Sequence, residues 1–431
     1  MSTPPQTVAD PAPANTWRGV IRGNVLMMGL VSMFTDFSSE MIYPLLSVFI
    51  FGLVPLGLAP LYLGLMEGVA ESTASVLKIF SGRISDSIGK RKALVIIGYG
   101  ISTIMRPLMG FATTGGHLVG LRFGDRIGKG IRTSPRNALI SDSVGPDVRG
   151  LAFSFHRSMD HFGAVLGPIV AAGLLFLLLG HGLWHGMTGK PSDREMDAMR
   201  WLFGAALVPG IAAMICLIGK VREIAPTSGK PSGKGSFVGW RALPRRFYGY
   251  VGIATLFALG NSSDLFLLAH GRSRFHMDLL SVLGLWVLLH VSKIIFSFPG
   301  GVLSDKLGRR PIIIAGWLVY ALVYLGMALV QQAWQFWALF LVYGFYYGMT
   351  EGAQSALVAD FVPSGQRGVA FGVFDGAVGL ALLPASLLFG VFWNRIGEGW
   401  AFGIGAALAG LAALLMAMLL TTSPKNHQDT R

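Results

Sequence analysis

Two carboxylates lie within an apolar stretch near the start of the chain. Asp36 and Glu40 occur in the segment SMFTDFSSEMIYPLL, which has apolar residues on both sides. A carboxylate near a bilayer centre costs about 2.5–3.5 kcal/mol on insertion scales, and such residues usually have a function. Ser32, Ser39 and Tyr43 lie on the same helical face. Burial and a second nearby carboxylate favour protonation, which predicts a pair that exchanges protons near neutral pH. The alternative is a permanent structural pairing with arginine.

A stripe of cations occurs further along the chain, in a second apolar segment. Its members are spaced 4, 3, 3 and 4 residues apart, and they therefore share one helical face. The stripe could pair with Asp36 and Glu40 in a proton-sensitive network. It could instead bind an anionic group of a substrate, as arginine does through bidentate hydrogen bonds. The five residues are Arg122, Arg126, Lys129, Arg132 and Arg136.

Other polar residues within apolar segments are candidate ligands or gate residues. Tyr343, Tyr347, Thr350, Glu351 and Gln354 share one helical face, and the tyrosines could hold an organic substrate or simply pack. A further charged cluster favours a gating network and a static structural network about equally. That cluster consists of His156, Arg157, Asp160, His161, His290 and Lys293. The predicted substrate ligands are Tyr43, Lys129, Arg132, Asp264, Tyr347 and Glu351.

Composition indicates the environment that positions these residues. The chain has 431 residues, of which 52% are hydrophobic and only 13% charged, whereas soluble domains have about 25% charged residues. These values favour a polytopic α-helical membrane protein. The single cysteine, Cys216, excludes a disulfide scaffold, and no metal or other cofactor is expected. The net charge of +13 fits basic cytoplasmic loops better than nucleic-acid binding.

Hydropathy predicts twelve membrane spans and two halves. We predict a disordered tail over 1–20, a six-helix bundle over 21–219, a basic linker over 220–246, a second bundle over 247–420, and a C-terminal tail over 421–431. Lys and Arg crowd the linker and the loops after spans two and eight, so both termini are predicted to be cytoplasmic. The predicted spans are 22–50, 61–81, 93–111, 116–138, 150–179, 200–219, 247–269, 280–302, 311–330, 334–358, 368–391 and 400–420.

Internal repeats indicate that the two halves are related. GRISDSIGKRK at 82–92 recurs as GVLSDKLGRRP at 301–311, and ALISDSVGPDVRGLAF at 138–153 recurs as ALVADFVPSGQRGVAF at 356–371. The repeats are offset by 219 and 218 residues and keep the same side of the membrane. We therefore expect two parallel six-helix units related by an axis along the membrane normal.

With these features the sequence resembles the major facilitator superfamily of secondary transporters. The loop after span two matches the signature motif of that family, and the loop after span eight is its second copy. The resemblance implies that Asp86 makes charge and helix-end contacts that hold the outward-facing state, although a purely topological loop would need only the basic residues. The implied latch residues are Gly82, Asp86, Gly89, Arg91, Gly301, Asp305, Gly308 and Arg309.

Two further motifs resemble those of proton-coupled members. Arg126-x-x-Lys129-Gly130 is similar to the family motif Arg-x-x-Gln-Gly, with Lys in place of Gln, and it implies a proton-coupling role for Arg126. Gly163-x-x-x-Gly167-Pro168 is similar to the motif of proton-coupled exporters, although the residues that follow differ. The proton-coupling residues are thus predicted to be Asp36, Glu40 and Arg126.

The resemblance therefore implies proton-coupled efflux of small amphiphilic organic molecules by a rocker-switch mechanism. One alternative is proton-coupled import of an organic anion, such as a metabolite or siderophore; a second is a non-transporting sensor. The chain has no P-loop, His-Glu-x-x-His or Gly-x-Ser-x-Gly motif, and we expect neither an ATP-driven pump nor an enzyme. We expect a monomer in a bacterial inner membrane, with small molecules, protons and lipid as its partners.

Overall fold

The described part of the structure is helical. The computed structural model describes residues 17–55, 58–180, 191–224, 240–261, 264–275, 277 and 279–421, and these contain no strand. Most of the predicted tails and the centre of the predicted linker lie outside the described residues. Where the N-terminal tail was predicted to be disordered, Trp17–Val20 forms one helical turn, and Trp240–Ala242 forms another in the linker.

Each of the twelve predicted spans corresponds to a helix. Several helices extend beyond the apolar stretch that predicted them, because amphipathic turns continue them past the bilayer core. The helices are α1 Gly23–Leu53, α2 Ala59–Ile88, α3 Arg91–Leu108, α4 Gly115–Asp142, α5 Arg149–Leu179, α6 in two segments (Asp193–Ala205 and Leu207–Lys220), α7 in two segments (Arg245–Gly260 and Asp264–Phe275), α8 Leu279–Leu307, α9 Arg309–Leu329, α10 Ala333–Asp360, α11 Arg367–Ile396 and α12 Glu398–Thr421.

Local sequence explains several of the helix boundaries. Ser192 and Glu195 form a capping box at the start of α6, in which each side chain accepts a hydrogen bond from the backbone of the other residue. Gly89 and Gly180 end α2 and α5 with φ of 67° and 76°. Glycine suits such left-handed positions because it has no Cβ.

Hydropathy divides the helices into two groups. Among the described residues, eight helices are long and apolar enough to cross a membrane, namely α1, α3, α5, α6, α8, α9, α11 and α12. The remaining four are α2, α4, α7 and α10. All four contribute polar residues to a central cavity, and an interior surface of this kind need not be apolar. The all-α polytopic fold predicted from the sequence is confirmed.

The halves meet through three main helix pairs. Within the first half α1 packs on α5 and α4 packs on α2 and α3; within the second half α8 packs on α10 and α12 packs on α9. Across the halves α2 packs on α11, and α5 packs on α8 and α10. Glycines permit this close approach: a Cβ at Gly372 would lie 2.6 Å from the carbonyl oxygen of Lys78, and one at Gly301 would lie 2.8 Å from the Cα of Leu151.

Two glycines of α5 lie against the stretch of α1 that carries the carboxylates. A Cβ at Gly163 would lie 2.9 Å from the backbone nitrogen of Phe37, and one at Gly167 would lie 2.8 Å from the Cβ of Glu40. Since real Cβ atoms do not come this close, both positions require glycine unless the helices separate. The small residues of α5 therefore fix the position of Asp36 and Glu40 relative to the rest of the half.

We expect Gly163→Val to destabilise the protein. The added atoms would push α5 away from α1, and overpacking of this kind typically costs about 1–3 kcal/mol. Gly173→Val in the same helix is the matched control, because Gly173 has no atom within 4 Å of the place its Cβ would take. Thermal unfolding of the purified protein in detergent measures both variants. Equal unfolding temperatures for the two variants would contradict this packing.

Candidate functional site

One face of the molecule is identified by contacts between the start of α1 and the residues that follow α6. The side-chain amide of Asn24 donates to the carbonyl oxygen of Arg222 at 2.8 Å, and the Arg222 N–H donates to the side-chain oxygen of Asn24 at 2.8 Å. The start of α1 and the end of α6 thus lie on the same side. The backbone N–H of Arg91 donates to Glu223 at 3.0 Å, which places the α2–α3 turn there as well. We call this side the terminal face.

A carboxylate of the first half caps a helix of the second half at the terminal face. Asp86, buried near the end of α2, accepts hydrogen bonds from the backbone N–H groups of Gly368 at 3.1 Å and Val369 at 2.7 Å. These are among the first N–H groups of α11, where the helix leaves donors unpaired and the dipole favours a negative charge. Arg91 donates to the same carboxylate at 3.2 Å.

The second half makes the reciprocal contact. Asp305, near the end of α8, accepts from the N–H groups of Gly150 at 3.0 Å and Leu151 at 2.8 Å, at the start of α5. Arg309 forms an ion pair with Asp305. Each half therefore supplies one carboxylate and one helix N-terminus, and the two repeats seen in the sequence are bonded to each other.

Two further aspartates join the arginines of this face, in unequal surroundings. Asp142 is fully buried, pairs with Arg91 and Arg367, and accepts a hydrogen bond from the Ser364 hydroxyl at 2.7 Å. Its counterpart in the second half, Asp360, has 31% of its side chain exposed and pairs with arginines of both halves. The sequence repeats contained both aspartates, but their role was not predicted. The sequence could have indicated this role, because both aspartates lie in repeated segments that also contain arginines.

The predicted latch glycines divide into two structural roles. Gly89 and Gly308 occupy the turns, with φ of 67° and 94°. Gly82 and Gly301 lie inside α2 and α8 and face the other half: a Cβ at Gly301 would lie 2.8 Å from Ser154, and one at Gly82 would lie 2.6 Å from the carbonyl carbon of Gly368. Gly89 and Gly308 therefore serve the turns, whereas Gly82 and Gly301 permit close packing between helices of the two halves.

A cavity of about 630 Å³ lies between the two halves. The charged side chains that line it come from both halves, and they include most of the candidates selected from the sequence. The acidic lining residues are Asp36, Glu40, Glu71, Asp125, Asp160, Asp264, Glu351 and Asp375. The basic lining residues are Lys78, Arg106, Arg122, Arg126, Lys129, Arg132, Arg136 and Arg157.

Asp36 and Glu40, which share one helical face, both line this cavity. Neither makes an ion pair within 4 Å with a residue in the described part of the chain. One carboxylate oxygen of Glu40 is buried without a hydrogen-bond partner among those residues. A buried polar atom without a partner is rare in proteins and often marks a functional group. Charges of Arg106 and Arg132 act on Asp36, and those of Arg122 and Arg126 act on Glu40.

The cation stripe makes its direct ion pairs with other acids. Arg126 lies 3.2 Å from Glu71 of α2, and Lys129 lies 3.7 Å from the same oxygen. Arg122 lies 3.5 Å from Asp125 and 5.0 Å from the ring centre of Tyr43. The stripe thus faces the cavity but does not touch Asp36 or Glu40, which differs from the first of the two arrangements considered above.

Arg132 lines the cavity and is also bound to α3. Its guanidinium donates to the Ser102 hydroxyl at 2.6 Å and lies 4.3 Å from the ring centre of Tyr99, both on α3. Arg132 is 5% exposed, so a substrate would have to compete with these two partners for its guanidinium. Arg106 was not selected from the sequence, although an arginine inside a predicted span was a signal. It joins α1 to α4 by bonding the Thr35 carbonyl at 2.8 Å and Asp125 at 3.2 Å.

The second half brings its predicted ligands together. The hydroxyls of Tyr343 and Tyr347 donate to Asp264 at 2.7 and 3.2 Å. Lys293 lies 3.8 Å from Asp264 and 3.7 Å from the ring centre of Tyr347. Asp264 is therefore held by three partners, and a substrate would have to compete with them.

Glu351 joins the halves. It lies 3.2 Å from the ring nitrogen of His161 and 3.9 Å from Arg157, both on α5. The imidazoles of His161 and His290 lie edge to face, with 5.5 Å between their centres. The clustered histidines of the sequence therefore meet across the two halves.

Comparison with known proteins identifies the family. The sequence profile of the Major Facilitator Superfamily matches residues 28–291 and 282–431. The chain belongs to this superfamily. An uncharacterized transporter of the superfamily from Methanocaldococcus jannaschii is 32% identical over 398 residues, which cover 91% of this chain and 94% of that protein. The solved structure of a proton:xylose symporter of the superfamily has a TM-score of 0.71 at 18% identity, covering 94% of this chain and 96% of that one. These likenesses confirm a transporter with the superfamily fold.

A shorter segment is similar to a resistance protein. The class B tetracycline resistance protein of Escherichia coli is 30% identical over 148 residues, which cover 34% of this chain and 35% of that protein.

We expect Asp86→Asn to weaken closure at the terminal face. The amide keeps the shape of the carboxylate but loses the charge that bonds the α11 N-terminus and Arg91. Labelling of Asn261→Cys, a cavity residue, by a membrane-impermeant maleimide from the opposite face should then slow, with Cys216→Ser as background. Asp147→Asn is the control, because Asp147 is an exposed acid in the α4–α5 loop. Identical labelling rates in the two variants would leave Asp86 with a topological role only.

Proposed function

We propose that this transporter couples the export of a small amphiphilic organic molecule to proton entry. The supporting observation is the pair of carboxylates, Asp36 and Glu40, in a central cavity and without an ion-pair partner among the described residues. A carboxylate that has no permanent counterion can be neutral when protonated and can bind a cation or a polar substrate when ionised. Such an exchange is what antiport requires.

The closed terminal face gives this proposal a direction. If both termini are cytoplasmic, as the distribution of Lys and Arg predicts, the structure is closed to the cytoplasm and is the state that exchanges with the exterior. Protons would load Asp36 and Glu40 in this state. Opening of the terminal face would then release them inside, with a membrane potential contributing about 2.3 kcal/mol per charge per 100 mV.

Two features favour export over import. The motif Gly163-x-x-x-Gly167-Pro168 resembles that of proton-coupled exporters, and in this chain it holds α5 against the carboxylates of α1. The segment similar to a tetracycline resistance protein points the same way by the name of that relative.

Import of an organic anion is the second candidate. It is favoured by the cations at the cavity wall, since Lys129 has 37% of its side chain exposed and Arg126 lies beside it. Protonation of Asp36 and Glu40 would make this wall more positive and would strengthen anion binding. Protons and an anion would then move together.

We expect Glu40→Gln to retain substrate binding and exchange and to abolish uphill transport. The amide keeps the size of the side chain but cannot carry the proton, and Asp36→Asn should have a similar or milder effect. Proteoliposomes with an imposed pH gradient measure both uphill flux and counterflow. Asp197→Asn is the control, because Asp197 is an exposed acid paired with Arg200 at the surface.

The direction of proton movement separates the candidates in the same preparation. Protons that move against the substrate support export by antiport, and protons that accompany an anion support import. Uphill transport at the wild-type rate by Glu40→Gln would remove Glu40 from the coupling mechanism. Substrate binding without any flux would favour a sensor.

A further inference from the structure

One carboxylate is shared by two cations at the open part of the cavity. A single oxygen of Glu71 lies 3.2 Å from Arg126 and 3.7 Å from Lys129. The exposed fraction of the side chain is 46% for Glu71, 37% for Lys129 and 12% for Arg126. Glu71 is therefore the most exposed of the three side chains, and Arg126 is the most buried.

Among the described residues, basic side chains outnumber acidic ones on the wall of the cavity formed by α2 and α4. Lys78 and Arg122 both act electrostatically on Glu71 and on Lys129. The cavity-lining cations of these two helices are Lys78, Arg122, Arg126, Lys129, Arg132 and Arg136, and the acids are Glu71 and Asp125. Such a wall attracts a second negative group.

The wall that the second half contributes to the cavity is rich in aromatic residues. Phe257, Tyr346, Tyr347 and Phe374 line it, beside the small residues Ala254 and Ala258. Three acids lie on the same wall, and each is bonded to another side chain, namely Asp264, Glu351 and Asp375. Rings of this kind bind the apolar body of an organic molecule, and a volume of about 630 Å³ is in the range of small-ligand sites. The cavity therefore offers a cationic wall from the first half and an aromatic-rich one from the second.

We infer that the substrate is an amphiphilic organic anion whose negative group replaces Glu71 at Lys129 and Arg126. Glu71 then serves as an internal counterion that keeps the two cations paired when the cavity is empty. This inference rests on the proposed transport function for access to the cavity. It goes further by naming the class of substrate and by assigning a role to Glu71.

Solvation makes such an exchange inexpensive. Two cations near the middle of a bilayer need a counterion, because removing one partner of a buried pair is strongly destabilising. Glu71 supplies the counterion from a half-exposed position, so water can solvate its carboxylate once it leaves the cations. Glu71 can therefore turn toward water while a substrate carboxylate, sulfonate or phosphate takes its place with bidentate geometry at Arg126.

Matched probes of opposite charge test the inference. Naphthaleneacetate, naphthalenesulfonate and naphthyl phosphate are the anionic probes, and naphthylmethylammonium is the cationic one. Binding is measured by calorimetry and thermal shift on the purified full chain in detergent, without a gradient. We expect the wild type to prefer the anions. We expect Lys129→Gln to weaken anion binding at least tenfold and to leave binding of the ammonium probe unchanged.

Variants at Glu71 separate displacement from a general charge effect. Glu71→Gln removes the competing carboxylate, and Glu71→Asp keeps the charge but shortens its reach to the cations. Both should bind the anionic probes at least threefold more tightly than the wild type if Glu71 must be displaced. If Glu71 contributes only its charge, Glu71→Asp should match the wild type, and that result would overturn the inference. Lys306→Gln, an exposed cation outside the cavity, is the control for charge.

Failure of this inference is distinguishable from failure of the proposed transport. Binding of none of the three anions, or tighter binding of the ammonium probe with its loss in Glu71→Gln, overturns the substrate class and leaves coupled export untouched. Anion binding that follows the expected pattern, together with an absence of coupled flux in proteoliposomes, overturns the transport proposal and upholds the site.

Discussion

Closure of the terminal face depends on carboxylates of one half bonding the helix N-termini of the other. Asp86 and Asp305 each accept two backbone N–H groups that the receiving helix cannot satisfy by itself. These bonds hold α11 against α2 and α5 against α8, and three of these helices, α2, α5 and α11, also contribute residues to the cavity. The terminal face is therefore closed because four backbone N–H groups have carboxylate acceptors in the opposite half.

A second constraint governs the charged residues that line the cavity. Charges placed at membrane depth need partners or water, and the structure supplies both in different places. Arg106 and Asp125 are buried and paired, so they fix α3 and α4 rigidly. Glu71 and Lys129 are half exposed and paired at longer range. Asp36 and Glu40 lie between these two environments. The charges of this cavity thus differ in kind: some are held permanently in buried pairs, and others can exchange their partners.

The sequence predicted the helices and the repeats well, because apolar length and spacing are local properties. It also grouped Asp36 with Glu40, and the five cations with one another, since helical periodicity alone decides which residues share a face. It did not predict which acid each cation would bind. The pairing of Arg126 with Glu71 and of Arg132 with α3 depends on how neighbouring helices rotate, and no single-helix pattern records that rotation.

In the signature motifs, too, local features were predictable and contacts that depend on neighbouring helices were not. The repeated Asp and Gly residues predicted contacts at one face, and Gly89 and Gly308 take the turn conformations that such glycines favour. The use of Gly82 in packing between the halves was not evident, because a glycine that permits close approach has the same sequence appearance as one that permits a turn. Only the position of the opposite helix distinguishes these two uses.

The reciprocity of the terminal face has a consequence for how the chain is put together. Asp86 bonds the residues equivalent to those that Asp305 bonds, and vice versa, so the interface is of the isologous kind that identical subunits form about a two-fold axis. In bonding terms the protein is a pseudo-dimer whose subunits are joined by the central linker. Each half contains both the acceptor and the donor part of the contact. A six-helix unit with this sequence pattern thus carries, in one copy, all the groups needed to recognise a second copy of itself.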